Sequence, residues 1–403
     1  MQPRFWLVAL SLLGVTASGA AQTTINPDIS LVGDLRAFSH DDQARAAEAE
    51  TFNLADPEME LYVTGYLNPY ARATATVAWH PGANAEMEEV YAEFLRGLPL
   101  GAHVRAGKYL LPFGRLNPVH PHAYSFIKRT LPHEILFSEE GMNDVAAQLS
   151  FLLPTGNAYT EAFGAVLKGD AFMGHGHGTE HGDIEAAARR DGAEPLALGT
   201  QQHEHEESGQ RTDPGFFGRL STSMAVGVSS ELALGGSVVN SVYRIESHEH
   251  ELLTEAQQEA EDPEQWRSWL VGADVKYRYR PDRYTALQIE AEGIWRSDDH
   301  HEADDLTSYG GYGYVDYRFR QRYNAGGIVE FVRTEHAHEV LGETEIEQID
   351  IWRAGLFVGF APVEETSLIR LAGHWTEPDQ NESFWEVNLQ LVFSLGPHQP
   401  HNF

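Results

Sequence analysis

The chain has 403 residues, with 60 Asp and Glu against 28 Lys and Arg, a formal net charge of -32 and 0 Cys. The missing cysteine removes disulfide frameworks, thiolate metal sites and cysteine nucleophiles. So acidic a chain repels nucleic-acid phosphate and attracts cations, which excludes nucleic acid as a partner. At 42% hydrophobic and 11% aromatic residues it is too apolar to stay disordered.

At the amino terminus, Arg4 precedes an apolar run from Phe5 to Ala17 and the small residues Gly19-Ala20-Ala21. That order predicts a secretory signal peptide over residues 1–21, because the run falls short of the roughly 20 apolar residues a spanning helix needs. Residues 22–403 are then expected to form one domain. Beyond the leader, no long apolar segment could hold the mature chain in a membrane as a helix.

The mature sequence alternates instead with a period of two, the mark of strands. About sixteen segments of roughly ten residues, the length of a tilted membrane-spanning strand, recur along the chain. They centre near Leu31, Val63, Thr74, Tyr91, Val104, Leu149, Phe163, Leu220, Val238, Ala273, Ile289, Val315, Val329, Leu356, Ile369 and Leu389. In the last, Trp385, Val387, Leu389, Leu391, Phe393 and Leu395 share one face, opposite Glu386, Asn388, Gln390 and Ser394.

Connections alternate between short, such as LNP at Leu67, PTGN at Pro154 and PDR at Pro281, and long and charged, such as the stretch from Gly169 to Pro214. That rhythm belongs to an all-β fold, a transmembrane antiparallel β-barrel with short periplasmic turns and long extracellular loops. A closed barrel also leaves no unpaired sheet edge in hydrocarbon. Trp79, Phe94, Tyr279, Trp295, Trp352, Trp375 and Trp385 near strand ends fit interfacial girdles. The expected location is the Gram-negative outer membrane, with lipid as one partner.

The third long connection, Tyr109 to Asp144, is expected to fold into the barrel and narrow it. Its prolines Pro112, Pro118, Pro121 and Pro132 oppose a long helix. Arg115, His120, His122, Glu139 and Glu140 from this segment, with Arg36, Arg72 and Arg105 from strands, are the expected constriction residues, because charge in a narrow low-dielectric zone acts strongly on a passing ion. Inward charge of both signs is expected from Asp34, Glu60, Glu290, Glu292 and Glu330 with Lys276, Arg278 and Arg353.

Histidine collects in the later long connections, in GHGHGTEH and in HEH and HAH repeats: His175, His177, His181, His203, His205, His248, His250, His300, His301, His336 and His338. Imidazole beside carboxylate suits Zn, Cu or Ni. Neighbouring carboxylates also favour the protonated ring, and flanking glycine raises the ordering cost, so loose, pH-dependent capture of zinc or another divalent cation is expected there, with no cofactor required. Acidic, histidine-bearing loops that merely hydrate the surface are the simpler alternative.

The stretches NPDISLVGDLRAF, VRAGKYLLPFGRLNPVHPHAYSFIKRTLPHEILFSEEGMNDVAAQLSFLLP and LQLVFSLGPHQPHNF resemble Gram-negative outer-membrane proteins related to phosphate-selective porins, a group with relatives described as zinc-regulated. The resemblance implies a porin-like barrel passing small solutes, and porins of this size imply a homotrimer by analogy. The mixed inward charge departs from the basic lumen of phosphate-selective members. A non-conducting surface metal-binding or adhesion protein on the same scaffold is the other expectation. With neither a GxSxG elbow nor an HExxH helix motif, an enzyme is not expected.

Overall fold

The computed structural model describes residues 27–81, 84–137, 141–169, 214–244, 265–299, 305–340, 343–363 and 366–396. The strands are β1 (Asp28–His40), β2 (Asn53–Leu54), β3 (Glu58–Asn68), β4 (Ala71–Trp79), β5 (Glu86–Phe94), β6 (His103–Leu110), β7 (Asn143–Leu153), β8 (Ala158–Leu167), β9 (Gly215–Ala225), β10 (Ser230–Arg244), β11 (Gln265–Tyr279), β12 (Thr285–Asp299), β13 (Leu306–Phe319), β14 (Tyr323–Val340), β15 (Glu343–Phe360), β16 (Ser367–Pro378) and β17 (Phe384–Leu395). Apart from the two-residue β2, sixteen long strands pair antiparallel in sequence order. The ring closes where β17 pairs with β1, Leu31 opposite Leu395 and His40 opposite Glu386. Each of the sixteen expected segments lies in one of them.

Burial runs opposite to that of a soluble protein. Along β17, Trp385, Val387, Leu389, Leu391, Phe393 and Leu395 are exposed, while Glu386, Asn388, Gln390 and Ser394 are buried. Trp269, Val271 and Val275 on β11 and Ile289 and Trp295 on β12 are likewise exposed, with Asp274, Glu290 and Glu292 buried inside. An apolar exterior around a charged interior is stable only with hydrocarbon outside, since the hydrophobic effect then sets the apolar face against lipid and the closed ladder satisfies every strand. No helix among the described residues is long and apolar enough to cross a membrane.

The wall is uneven. At about 3.3 Å rise per residue and about 45° tilt, the eight residues of β6 climb roughly 19 Å and the eighteen of β14 roughly 42 Å. Height on the tall side corrects one expectation: the TEHAHEV segment is not a loop. β14 runs through His336 and His338 to Val340, paired with Glu347 and Glu345 of β15. Above the lipid a strand needs no apolar face, only its ladder, so polar sequence continues the hairpin.

Candidate functional site

The connection between β6 and β7 folds into the barrel and fills one side of it. Among its described residues it carries one short α-helix, α1 (Leu131–Leu136), with Pro132 in its first turn. Leu111, Phe113, Leu131, Leu136 and Phe137 pack on Val239, Leu270, Ile294, Val332, Ile349 and Ile351, inward residues of the tall wall. Leu116, Tyr124, Phe126 and Ile127 pack on Tyr312, Tyr314, Ile328 and Phe357. Two glycines permit the approach. Gly114 takes φ +59, and a Cβ there would lie 1.9 Å from Glu292, while a Cβ at Gly272 would meet the Phe113 ring at 2.6 Å.

Charge pins the segment at several points. Arg115 donates from Nε to Asp274 at 2.5 Å, and its backbone N–H donates to Glu292 at 3.1 Å. The Leu131 N–H donates to Glu330 at 2.6 Å. Arg353 of β15 reaches Glu330 at 2.9 Å, Glu134 at 3.1 Å and the Arg129 carbonyl. Arg370 of β16 donates to the carbonyls of His122 and Tyr124, Ser125 to Asp316, and Lys128 pairs with Glu386 at 2.7 Å. Arg353→Ala strands Glu134 and Glu330 together in the buried zone, an expected loss of about 3–5 kcal/mol from the packing of the segment. Limited proteolysis, with mass mapping of cuts near residues 129–136, checks this; resistance equal to the parent refutes it.

Two histidines of the segment differ by environment. His133 is fully buried, with Nδ1 2.5 Å from the Thr130 hydroxyl, and burial, aided by Arg129, depresses its pKa to about 3, so the ring is neutral. Partial burial of His120 opposes its charge, but Glu60, Glu89 and Glu88 outweigh that and raise it well above the ordinary value.

Opposite the filled side a cavity of about 700 Å³ remains, bounded by the loop edge and the wall from β1 to β13. Seven Lys and Arg side chains line it against four glutamates. Arg72 and Arg105 both bind Glu93 at 2.6 Å, and Arg219 binds Asp274 at 2.7 Å. Towards the short turns a second cavity of about 280 Å³ holds Arg278, Arg280, Arg283, Arg318, Arg322 and Arg370 with Asp316.

The residues expected at the constriction are thus brought together in part. Arg72, Arg105, Arg115, His120 and His122 line the larger cavity. Arg36 stays on the wall, bonded to Asp34 at 2.9 Å. Glu139 and Glu140 lie outside the described residues, as do His175, His177, His181, His203, His205, His248, His250, His300 and His301 and the leader over residues 1–21. His336 and His338 lie two residues apart on β14, opposite Glu347 and Glu345 of β15.

Sequence reading missed Glu88 and Glu89. In β4–β5 pairing Thr76 faces Glu89 while Val77 faces Met87, so Glu88 is the extra residue of a β-bulge. The signal was present: Met87 and Val90 are both exposed outward, an odd spacing that strict alternation forbids.

An antiparallel closed barrel of sixteen long strands with an inward-folded loop is the fold of outer-membrane porin-type barrels. The chain is similar in structure to OmpT, an outer-membrane protein of Vibrio cholerae, in a trimer form (TM-score 0.53, 8% identity, 92% of this chain and 99% of that one). It is similar also to an anion-selective porin from Comamonas acidovorans (0.54, 8%, 92% and 100%) and to the outer-membrane channel DcaP of Acinetobacter baumannii (0.51, 10%, 92% and 96%). At such identities the likeness is one of fold. An uncharacterized protein of Aquifex aeolicus is 26% identical over 368 residues, 88% of this chain and 71% of the relative. No family model matches the chain.

Proposed function

We infer that the protein is a porin-type channel of the Gram-negative outer membrane, passing small hydrophilic solutes by diffusion, and not an enzyme. The observation that carries this is the half-filled lumen: one side is sealed by a packed loop, the other left as a charged cavity. Its basic lining, seven cations to four glutamates, favours small anions although the whole chain is acidic. Exterior histidines beside carboxylates serve as a separate, loose collector of divalent cations, zinc first among them.

Purified protein in planar bilayers tests the channel. Stable single-channel steps are expected, with a reversal potential in a KCl gradient displaced toward chloride. Flat traces sink the channel and leave a surface metal-binding or adhesion protein on this scaffold; displacement toward potassium overturns the anion preference.

The short wall supports a homotrimer. A climb of roughly 19 Å at β6 is less than the apolar band of about 25 Å around such barrels. Ala73, Ala92, Ala106 and Ala147 stand opposite one another across β4 to β7, alternating with the lumen residues Arg72, Glu93, Arg105 and Gln148. Small outward side chains let the walls of neighbouring copies approach closely, as small residues do between membrane helices. Ala106→Trp is expected to convert trimer to monomer in mild detergent while the barrel stays folded, read by native mass spectrometry. A monomeric parent, or a trimer indifferent to the substitution, refutes the contact.

A further inference from the structure

The geometry points to a divalent-cation site inside the barrel, of the zinc class, with His120 Nδ1 and the carboxylates of Glu60 and Glu88 as ligands and Glu89 as the group that orients the ring. It lies where the inward loop meets the short wall, and it needs neither conduction nor the exterior histidines.

His120 Nδ1 stands 3.2 Å from Glu60 Oε2 and 3.6 Å from Glu88 Oε2, and the three ligand atoms lie within 4.8 Å of one another. Tetrahedral zinc with bonds of about 2.0–2.1 Å separates its ligands by about 3.3 Å, so little movement is needed to close on an ion. Glu88 Oε2 is shut off from solvent and accepts no hydrogen bond. Among the described residues, neither Glu88 nor Glu89 has a lysine or arginine partner; both pair with His120.

The second observation is the carboxylate behind the ring. Glu89 Oε2 is 3.2 Å from His120 Nε2, and its other oxygen accepts from the Leu110 N–H at 3.0 Å. A carboxylate on the far nitrogen fixes the tautomer that turns a lone pair on Nδ1 toward the ion, the arrangement found behind metal-bound histidines. Both glutamates reach the same ring because Glu88 is the bulge residue. The bulge is held in place by Lys108 Nζ on the Met87 carbonyl at 2.9 Å and Asn143 on the Glu88 carbonyl at 2.8 Å. An unbulged strand would send one of the two into lipid. Three protein ligands leave a fourth position for water or an anion from the cavity, and His122 Nδ1, 3.4 Å from Glu60, stands beside it.

The test uses the full barrel refolded in detergent, with all eleven histidines from His175 to His338, and His398 and His401 of the tail, changed to Asn so that binding by the outer histidines is removed. Titration with Co²⁺ at pH 8, where protons compete less for the imidazole, is expected to give one equivalent with a strong visible d–d band of a four- or five-coordinate ion, displaced by Zn²⁺. Glu88→Gln and His120→Ala are expected to abolish the band, and Glu89→Gln to weaken affinity about 10-fold or more. Heat-modifiable migration on gels verifies folding; Glu88→Gln, isosteric and outside the ladder register, is decisive should His120→Ala misfold. A folded parent that takes up no Co²⁺, or a folded Glu88→Gln that binds as the parent does, overturns the site.

Discussion

Replacing residues 112–141 by a short glycine linker is expected to raise single-channel conductance several-fold and to weaken ion preference. The segment fills the tall side of the lumen through two apolar clusters, so its removal widens the path from one cavity toward the full barrel. The barrel is expected to survive, because its sixteen strands close on themselves without help from the loop. Glu292, Glu330, Arg353 and Arg370 then meet water in place of the loop and remain solvated. The loss falls on Val239, Leu270, Ile294, Val332, Ile349 and Ile351, whose apolar surface becomes wet. At about 1.5–3 kcal/mol for each such side chain, thermal resistance drops while assembly persists. Heat-modifiable migration reports the barrel, and bilayer recording reports the path. Parental conductance in a folded deletion variant contradicts the placement of the loop as the element that sets the bore.

Legibility in the sequence tracks the solvent on each side of the wall. Where lipid lies outside and polar lumen inside, as at Leu389 and Asn388, the period of two is strict and residues alone place the strands. It fades where those solvents change. Above the lipid a strand needs no apolar face, and His336 and His338 read as loop although the ladder of β14 and β15 continues through them. Where the inward loop packs, the inner face becomes apolar. Leu270 between Trp269 and Val271 then looks like three lipid-facing residues, when the middle one is a core residue. The interior site is half visible: Glu60, His120 and His122 stand out as inward or constriction residues, but the bulge that brings Glu88 and Glu89 to His120 shifts the phase by one residue. Only the Met87 and Val90 spacing betrays it.

Adjacent residues of β9 supply the sharpest test of the inverted burial. Leu220→Arg is expected to block assembly or cost about 2–4 kcal/mol, the penalty for a guanidinium on the lipid face near the midplane of a barrel. Ser221→Arg, one residue on, is expected to fold with the parental thermal midpoint and to shift the reversal potential further toward the anion. Leu220 is 54% exposed at the middle of an eleven-residue strand, whereas Ser221 lines the larger cavity beside Arg219. The cost differs because one side chain must give up its hydration to hydrocarbon while its neighbour keeps water and joins a basic lining. Urea titration of the barrels refolded into lipid vesicles measures the first difference, and bilayer recording the second. If Ser221→Arg carries the loss and Leu220→Arg is tolerated, the facing of the strand is the reverse of that described. If neither does, β9 is not lipid-facing, and the exposed apolar band it shares with β8 and β10 must be covered by protein.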